Sequence, residues 1–277
     1  MGTSPGGLVR LVHPFPCLLD GGIVVGAAWI AGATPPDAVR LGASMVALQA
    51  AIGTLNDIVD AGADAGRKLA KPIPAGAVSL GAARVVFLAA AGIGVGLAVP
   101  SGLSLVILAV IVLGIGLAYD LIAKGSAWSW LPFAIGIPIL PVYGWLGSGE
   151  PLATWFGALI PAAAMAGAAL AIANARTDTE RDQAAGRASV ATRLGPGASW
   201  LVHAVLWVAV LAIALAGLVR SGTWVGWLLA AAAAWSLVGA GIVLGRRASP
   251  RRRERAWEIQ AVGAGLLALV WLVAITR

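Results

Sequence analysis

Long apolar stretches separated by short polar segments fill most of the chain. A helix needs about 20 mostly apolar residues to cross the hydrocarbon core of a bilayer, and about nine stretches meet this requirement. They are residues 8–31, 36–56, 77–99, 102–119, 128–148, 152–174, 198–219, 223–245 and 256–276. The connections, such as residues 100–102 and 148–151, are too short for a second folded domain. The pattern predicts an all-α integral membrane protein, with a bundle of about nine transmembrane helices forming one domain over residues 1–277.

Composition excludes a water-soluble globular protein. The chain is 60% hydrophobic and 11% charged, and its mean hydropathy is +0.91. Apolar side chains are too many and too evenly spread to leave a water-facing exterior. The single cysteine, Cys17, excludes an internal disulfide. We expect the first apolar stretch to remain as a membrane helix, because it lacks the short apolar region and cleavage pattern of a signal peptide.

Positive charge is distributed unevenly between the two sides of the predicted bundle. The chain has 19 Lys and Arg residues and a net charge of +7. With the N-terminus inside, the cations lie on the inner side except Arg40, Arg220 and Arg277. This asymmetry follows the positive-inside rule and needs no nucleic-acid partner. We expect a multi-pass protein of a bacterial cell membrane, with its site facing the cytoplasm.

A run of basic residues, GRRASPRRRER, spans residues 245–255 between the last two predicted helices. We interpret this run as a topology signal that also attracts the anionic headgroups of the lipid bilayer.

The scarce charges are concentrated in the segment NDIVDAGADAGRKLAKPIPAG, which begins at Asn56. On a helix that continues past this residue, Asp57, Asp60 and Asp64 lie on one face with Asn56 at its edge. Carboxylates on one face repel one another unless a cation compensates them. Hard divalent cations such as Mg²⁺ prefer carboxylate oxygens and keep positions open for water and substrate phosphates. A Mg²⁺-diphosphate site fits this pattern.

A second segment, NARTDTERDQAAGRASVATRLG, runs from Asn174 to Gly195 and repeats the pattern. Asn174, Asp178 and Asp182 stand four residues apart, so we expect them on one helical face, with Glu180 pointing elsewhere. Four predicted spans separate the two acidic segments, and this even number places both on the same side of the membrane. We expect them to face each other across one central cavity and to clamp a diphosphate through metal ions.

Either acidic segment alone is weak evidence for a site. Such a patch is most often a solvated face or reflects the preference for negative charge at a helix N-terminus. The pair is more specific, because both segments combine an Asn with acids at helical spacing and are followed by basic residues, in a chain with only 12 Asp and Glu.

These residues resemble the signatures of the UbiA-type superfamily of intramembrane prenyltransferases. The second signature, DxxxD, is matched by Asp178 and Asp182. The first signature, NDxxDxxxD, and its continuation of a basic residue, Pro and Gly are matched by Asn56, Asp57, Asp60, Asp64, Lys71, Pro72 and Gly76. Tyr119, Lys124 and the ATRLG of residues 191–195 also match. The resemblance covers nearly the whole chain in layout, whereas specific identity is confined to the motif loops.

The resemblance implies an enzyme in which Mg²⁺ holds an isoprenyl diphosphate, and loss of diphosphate leaves an allylic carbocation that an acceptor attacks. Cations placed at the leaving diphosphate stabilise the transition state more than the ground state, and apolar walls keep water from the carbocation. The implied catalytic and metal-binding residues are Asp57, Asp60, Asp64, Asp178 and Asp182. The implied substrate-binding residues are Asn56, Arg67, Lys68, Lys71, Tyr119, Lys124, Asn174, Arg181 and His13.

The acceptor is the least determined part of this hypothesis. Family members often have an Arg-Pro pair at the start of the first helix, where this chain has His13-Pro14. His13 is a candidate for acceptor contact, for proton transfer or for anchoring the helix at the interface, and Asp20 is a candidate for function or for helix-end polarity. We expect a small aromatic acceptor, and the choice between 4-hydroxybenzoate and another compound stays open.

Three other classes of protein are alternatives to a prenyltransferase. A transporter would show inverted repeats and helices broken near the midplane of the bilayer, whereas these acids lie at the ends of spans. A CDP-alcohol phosphotransferase would carry a DGxxAR motif, and the corresponding DAGRKLA has different spacing. A terpene cyclase on the same scaffold stays open, since it would use the same metal and diphosphate site.

Overall fold

The computed structural model describes residues 3–65, 71–221, 223–243 and 249–276, and over these ranges the chain is helical without β-strands. A 3₁₀ turn covers Val99–Ser101, and π-helical segments cover Tyr119–Ala123 and Ser236–Val243. The α-helices are α1 (Pro5–Leu11), α2 (Pro14–Ile30), α3 (Pro35–Asp64), α4 (Leu80–Ala98), α5 (Leu103–Ala118), α6 (Leu131–Gly147), α7 (Phe156–Thr177), α8 (Thr179–Ala184), α9 (Val190–Ser221), α10 (Trp224–Trp235) and α11 (Pro250–Thr276).

The predicted all-α membrane architecture is confirmed, and the predicted number of spans is approximate. Among the described residues, 6 helices are long and apolar enough to cross a membrane, or 7 if the bent pair α1 and α2 counts as one span. Two shorter apolar helices, Leu131–Gly147 and Trp224–Gly239, coincide with the remaining predicted spans.

The first predicted span, residues 8–31, is two helices rather than one. α1 and α2 meet at a bend of 56°, and His13 between them has left-handed dihedral angles, φ 52° and ψ 69°. The break has a local cause, because the ring of Pro14 disfavours helical dihedral angles at the preceding residue. Pro14 occupies the first turn of α2, where a proline is well accommodated.

Two other predicted spans are parts of longer helices. The span placed at residues 36–56 continues as α3 to Asp64, as expected for the acidic motif, which lies within a helix of 30 residues. The span placed at residues 198–219 lies within α9, which begins at Val190 and kinks at Gly195. Gly195 has φ 75° and is followed by Pro196, and glycine accepts this left-handed conformation without a Cβ clash.

The chain divides into two compact units. One contains Met1–Ile122 and Leu140–Pro151, and the other contains Ala123–Ile139 and Leu152–Arg277. α6 therefore contributes its first half to the second unit and its second half to the first unit. That residues 1–277 act as one domain stays a prediction.

In the first unit, α3 packs closely against its neighbours and so fixes the acidic motif at its end. α3 contacts α1, α2, α4 and α5. At the contact with α2, a Cβ on Gly42 would lie 2.9 Å from the carbonyl oxygen of Gly21, so glycine permits this close approach. The buried Ser44 hydroxyl donates to the Gly94 carbonyl at 2.6 Å and lies 2.6 Å from the Tyr143 hydroxyl, which joins α3 to α4 and α6.

In the second unit, α7 leads into the other acidic motif and packs against α9 and α11. The residues of α7 from Ala166 to Ile172 are mostly small and are buried, which lets helices approach closely. A buried polar contact also joins α9 to α11, since His203 Nε2 lies 3.2 Å from Gln260 Oε1 and accepts from the Trp207 indole N–H at 3.1 Å.

Candidate active site

The first acidic motif is built around one lysine. Lys71 Nζ lies 2.9 Å from Asp57 Oδ1, 3.2 Å from Asp60 Oδ2 and 2.9 Å from Asp64 Oδ2. The three carboxylates occupy the last two turns of α3 and are buried. One ammonium group reaches all three, which confirms that they share a helical face.

A compact turn after α3 places Lys71. The Ala75 N–H donates to the Lys71 carbonyl at 3.0 Å, and the Ala77 N–H donates to the Pro72 carbonyl at 2.9 Å. Gly76 has φ 68°, a left-handed conformation that glycine takes without strain. The basic-Pro-x-x-x-Gly pattern therefore has a structural meaning, because Pro72 and Gly76 form the turn that directs Lys71 back to α3.

Lys71 remains charged in this position. Burial of its ammonium group works against the charge, but hydrogen bonds to Asp57 and Asp64 outweigh that effect and raise the pKa of Lys71 above its ordinary value. A permanent cation is what the carboxylates require, since like charges on adjacent turns of a helix repel.

His13 also contacts the first motif. Its Nε2 lies 3.3 Å from Asp57 Oδ1, and 37% of its side chain is exposed, against 1% for Asp57. The break between α1 and α2 makes this contact, because it turns His13 out of the helix and onto α3. A Cβ on Gly53 would lie 3.0 Å from His13 Cδ2, so the small residue at that position leaves room for the ring. A role for His13 toward the acceptor stays a prediction.

Asp120 is a further member of this cluster that the sequence reasoning missed. Asn56 Nδ2 donates to Asp120 Oδ1 at 2.7 Å. Asp120 is 5% exposed and lies in the π-helical turn that begins at Tyr119. The signal was present, because an ionisable residue inside a long apolar stretch is a candidate functional residue. Since the Asn56 amide N–H donates to Asp120, its carbonyl oxygen is the atom left to face a cation.

The chemistry of these side chains fits a hard divalent cation. Carboxylate and amide oxygens are suitable ligands, and the ammonium of Lys71 marks the position on which three carboxylates converge. Asp57 Oδ2 is buried without a hydrogen-bond partner, which leaves one oxygen available to a cation. Within the described ranges no group of three or more His, Cys, Asp or Glu side chains is already spaced as a metal site. The first motif is instead spaced around an ammonium ion.

The second acidic motif lies at a helix break, and the expectation of one continuous helical face is wrong. α7 ends at Thr177, and Asp178 is the N-cap of the short helix α8. Asp178 and Asp182 remain one turn apart, because the Asp182 N–H donates to the Asp178 carbonyl at 2.8 Å. Asn174 belongs to the preceding helix.

The two threonines that flank Asp178 favour the helix break. The Thr177 hydroxyl donates to the Asn174 carbonyl at 2.7 Å, and the Thr179 hydroxyl donates to the Arg176 carbonyl at 3.3 Å.

Both charged neighbours of the second motif are paired. Arg181 donates to Asp178 Oδ1 at 2.8 Å, and the Arg181 side chain is 66% exposed and that of Asp178 is 42% exposed. Glu180 pairs with Arg253 of α11, so it points away from Asp178 and Asp182 as predicted. The hydrogen bond from the Arg253 guanidinium holds the pKa of Glu180 below its ordinary value.

The remaining predicted substrate-binding residues have different surroundings. Tyr119 begins the π-helical turn and is half-buried, and Lys124 follows that turn and is also half-buried. Asn174 is half-buried in the last turn of α7. Arg67 and Lys68 lie outside the described residues.

The helices and the two acidic motifs are the features in which this chain resembles the intramembrane prenyltransferases. Residues 21–274 match the UbiA prenyltransferase family. Because this match covers most of the chain, the chain belongs to the UbiA prenyltransferase family, and it is a multi-pass integral membrane enzyme. No curated protein matches the sequence.

Solved structures share the fold along the whole chain. A UbiA homologue from Aeropyrum pernix K1 without ligand is 20% identical, with 94% of this chain and 98% of that chain aligned and a TM-score of 0.75. A UbiA homologue from Archaeoglobus fulgidus bound to DMAPP and Mg²⁺ is 18% identical, with 97% and 99% aligned and a TM-score of 0.74. A digeranylgeranylglyceryl phosphate synthase is 16% identical, with 98% of each chain aligned and a TM-score of 0.72.

The Asn56–Asp120 contact leads to a prediction about cation affinity. Replacing Asp120→Leu removes the acceptor that orients the Asn56 amide, so we expect Mg²⁺ affinity to fall by about tenfold or more. Asp120→Asn keeps a carbonyl acceptor and should have a smaller effect. Titration calorimetry of the purified protein measures both affinities directly, and Asp37→Asn, on a half-exposed side chain at the opposite end of α3 from Asn56, is the control. Wild-type affinity in Asp120→Leu would contradict the assigned role of the contact.

Proposed function

We propose that this enzyme transfers an isoprenyl group from its diphosphate to a small aromatic acceptor in a Mg²⁺-dependent reaction. One observation carries the proposal: three carboxylates of the first motif converge on a single cation at the end of α3. A membrane helix has no structural need for such a cluster, because each charge at that position is costly. A substrate that brings both cations and negative charge gives the cluster a function.

The charged residues have distinct proposed roles in this reaction. Mg²⁺ held by Asp57, Asp60, Asp64, Asp178 and Asp182 would supply positive charge that stabilises the leaving diphosphate. Asn56 and Asn174 assist these carboxylates, and Tyr119 belongs to the substrate-binding residues. Arg67, Lys68, Lys71, Lys124 and Arg181 contact diphosphate oxygens.

Lys71 has the clearest physical basis for its role. It is a permanent cation on a turn outside α3, and it contacts the three carboxylates through one ammonium group. An ammonium group has three donors and a flexible stem, so it can exchange a carboxylate partner for a diphosphate oxygen without loss of charge compensation. Lys71 thus compensates part of the motif's negative charge before the donor binds and contributes to diphosphate binding afterwards.

The structures of the Archaeoglobus fulgidus homologue support the choice of donor. One contains dimethylallyl diphosphate (DMAPP) with Mg²⁺, and another contains geranyl diphosphate (GPP) with Mg²⁺. Both ligands are allylic isoprenyl diphosphates, which ionise to a stabilised carbocation. Transfer of the same donor class to this chain rests on family membership and on its own acidic motifs.

His13 is the proposed contact on the acceptor side. Its Nε2 lies 3.3 Å from the carboxylate of Asp57. A histidine paired with a carboxylate holds a defined orientation and is able to accept a proton from a phenolic acceptor. The apolar helices exclude water, so the carbocation reacts with the acceptor in preference to hydrolysis.

The experiment that tests this function measures release of inorganic diphosphate. Purified protein would receive geranyl or longer prenyl diphosphates, with and without Mg²⁺ and with and without phenolic acceptors. We expect release only when Mg²⁺ and an acceptor are both present, together with a prenylated product by mass spectrometry. Release with Mg²⁺ alone would indicate cyclisation or hydrolysis. Absence of release with every donor would overturn the catalytic proposal and favour transport.

Neutralising one acid in each motif should abolish turnover and leave the protein folded. Asp60→Asn and Asp182→Asn each remove a negative charge without changing side-chain volume. Glu180→Gln should be milder, because Glu180 points toward Arg253 and away from the motif. The readouts are turnover and the thermal unfolding midpoint in detergent. Equal loss of turnover in Glu180→Gln and Asp182→Asn would show that the placement of Glu180 outside the metal-binding face is wrong.

We propose that both motifs face the cytoplasm of a bacterial cell, as the positive-inside rule indicates. The test is labelling of single cysteines from either side of the membrane, and Cys17→Ala removes the single native cysteine. Cysteines at exposed Ala63 and Ala185 should label from the inside, and a cysteine at exposed Glu150 should label from the outside. Labelling of Ala63→Cys and Ala185→Cys from opposite sides would contradict the topology.

A further inference from the structure

Arg253 contacts the helix break that carries the second acidic motif. It lies in the first turn of α11, in the basic run of residues 245–255. One guanidinium nitrogen donates to the Arg176 carbonyl at the end of α7, and another donates to Glu180 Oε1 in α8. The two contacts lie on either side of Asp178, so a single side chain joins both helices that meet at this residue.

The electrostatics of the helix ends explain why a guanidinium suits this position. The last turn of α7 leaves carbonyl groups without helical partners, and its dipole favours a cation there. A cation in the first turn of α11 is unfavourable on its own, because that end of a helix is positive. The Arg176 carbonyl and the Glu180 carboxylate compensate for this, and the planar guanidinium serves both at once.

Arg253 also differs from its neighbours in the basic run. Arg251, Arg252 and Arg255 are exposed to the surroundings, whereas the Arg253 side chain is 14% exposed. A topology signal or attraction to lipid headgroups requires only exposed charge. Those functions therefore account for the three exposed arginines and leave the placement of Arg253 unexplained.

We propose that Arg253 is a positioning residue for the second acidic motif. It holds the end of α7 and the start of α8 in place and so fixes the direction of the Asp178 carboxylate. This role rests on the proposed function, in which Asp178 binds Mg²⁺ at the diphosphate. Glu180 acts with Arg253 as its anchor on α8, and neither side chain touches the reacting atoms.

The test compares Arg253→Gln with Arg252→Gln, which removes the same charge from the same run. The first readout is hydrogen exchange of the backbone amides in residues 176–184, which needs no substrate. We expect faster exchange in Arg253→Gln and wild-type exchange in Arg252→Gln. The second readout is the affinity for geranyl diphosphate with Mg²⁺, which we expect to fall about tenfold in Arg253→Gln alone.

Glu180→Gln keeps the test decisive if Arg253→Gln fails to fold. The Glu180 side chain is 60% exposed, so its substitution leaves packing intact. Glu180→Gln should raise the exchange rate and lower the affinity for geranyl diphosphate, as Arg253→Gln does. The double variant should be no worse than the more affected single variant, because both substitutions break the same contact between Arg253 and Glu180. Identical exchange in Arg253→Gln and Arg252→Gln, or additive losses in the double variant, would overturn the proposal. A wild-type protein that releases no diphosphate would instead count against the proposed function and leave the exchange result valid.

Discussion

The ion cluster of Lys71 with Asp57, Asp60 and Asp64 is the interaction on which the first half of the site depends. Three buried carboxylates on adjacent turns would repel one another and disfavour the end of α3 without a cation. Lys71 reaches each of them within 3.2 Å. The Ser4 N–H donates to the Ala77 carbonyl at 2.9 Å, which attaches the turn from Lys71 to Val78 to the start of α1. The acidic face is thus held together by Lys71 before any substrate binds, and it keeps a net negative charge.

The two motifs compensate their negative charge in different ways. The first keeps its acids on a continuous helix and gathers them around one central lysine. The second interrupts the helix at Asp178 and balances its charges in separate pairs, Asp178 with Arg181 and Glu180 with Arg253. The exposed Asp178–Arg181 pair contributes little to stability, so Asp178 exchanges its partner readily. In the proposed function, both arrangements leave carboxylates that would bind a divalent cation.

Features set by local chemistry could be predicted from the sequence, and those set by distant contacts could not. Apolar length gave the positions of the helices, and helical spacing gave the shared face of Asp57, Asp60 and Asp64. The break at His13 was predictable in principle, because Pro14 follows it, and the Thr-rich segment around Asp178 carries residue types typical of helix ends. The pairings of Asn56 with Asp120 and of Glu180 with Arg253 join residues 64 and 73 positions apart. Only folding brings such pairs together, and one sequence contains no signal for their proximity.

The central claim is that these carboxylates bind a divalent cation together with an isoprenyl diphosphate. The most direct test is the affinity for a geranyl diphosphate analogue with sulfur as the bridging atom, measured with Mg²⁺ and with a chelator. Carboxylates and diphosphate repel each other in a partly desolvated site, so tight binding should require Mg²⁺. Equal affinity in the presence of the chelator would contradict the account, because lysine and arginine side chains alone would then hold the diphosphate.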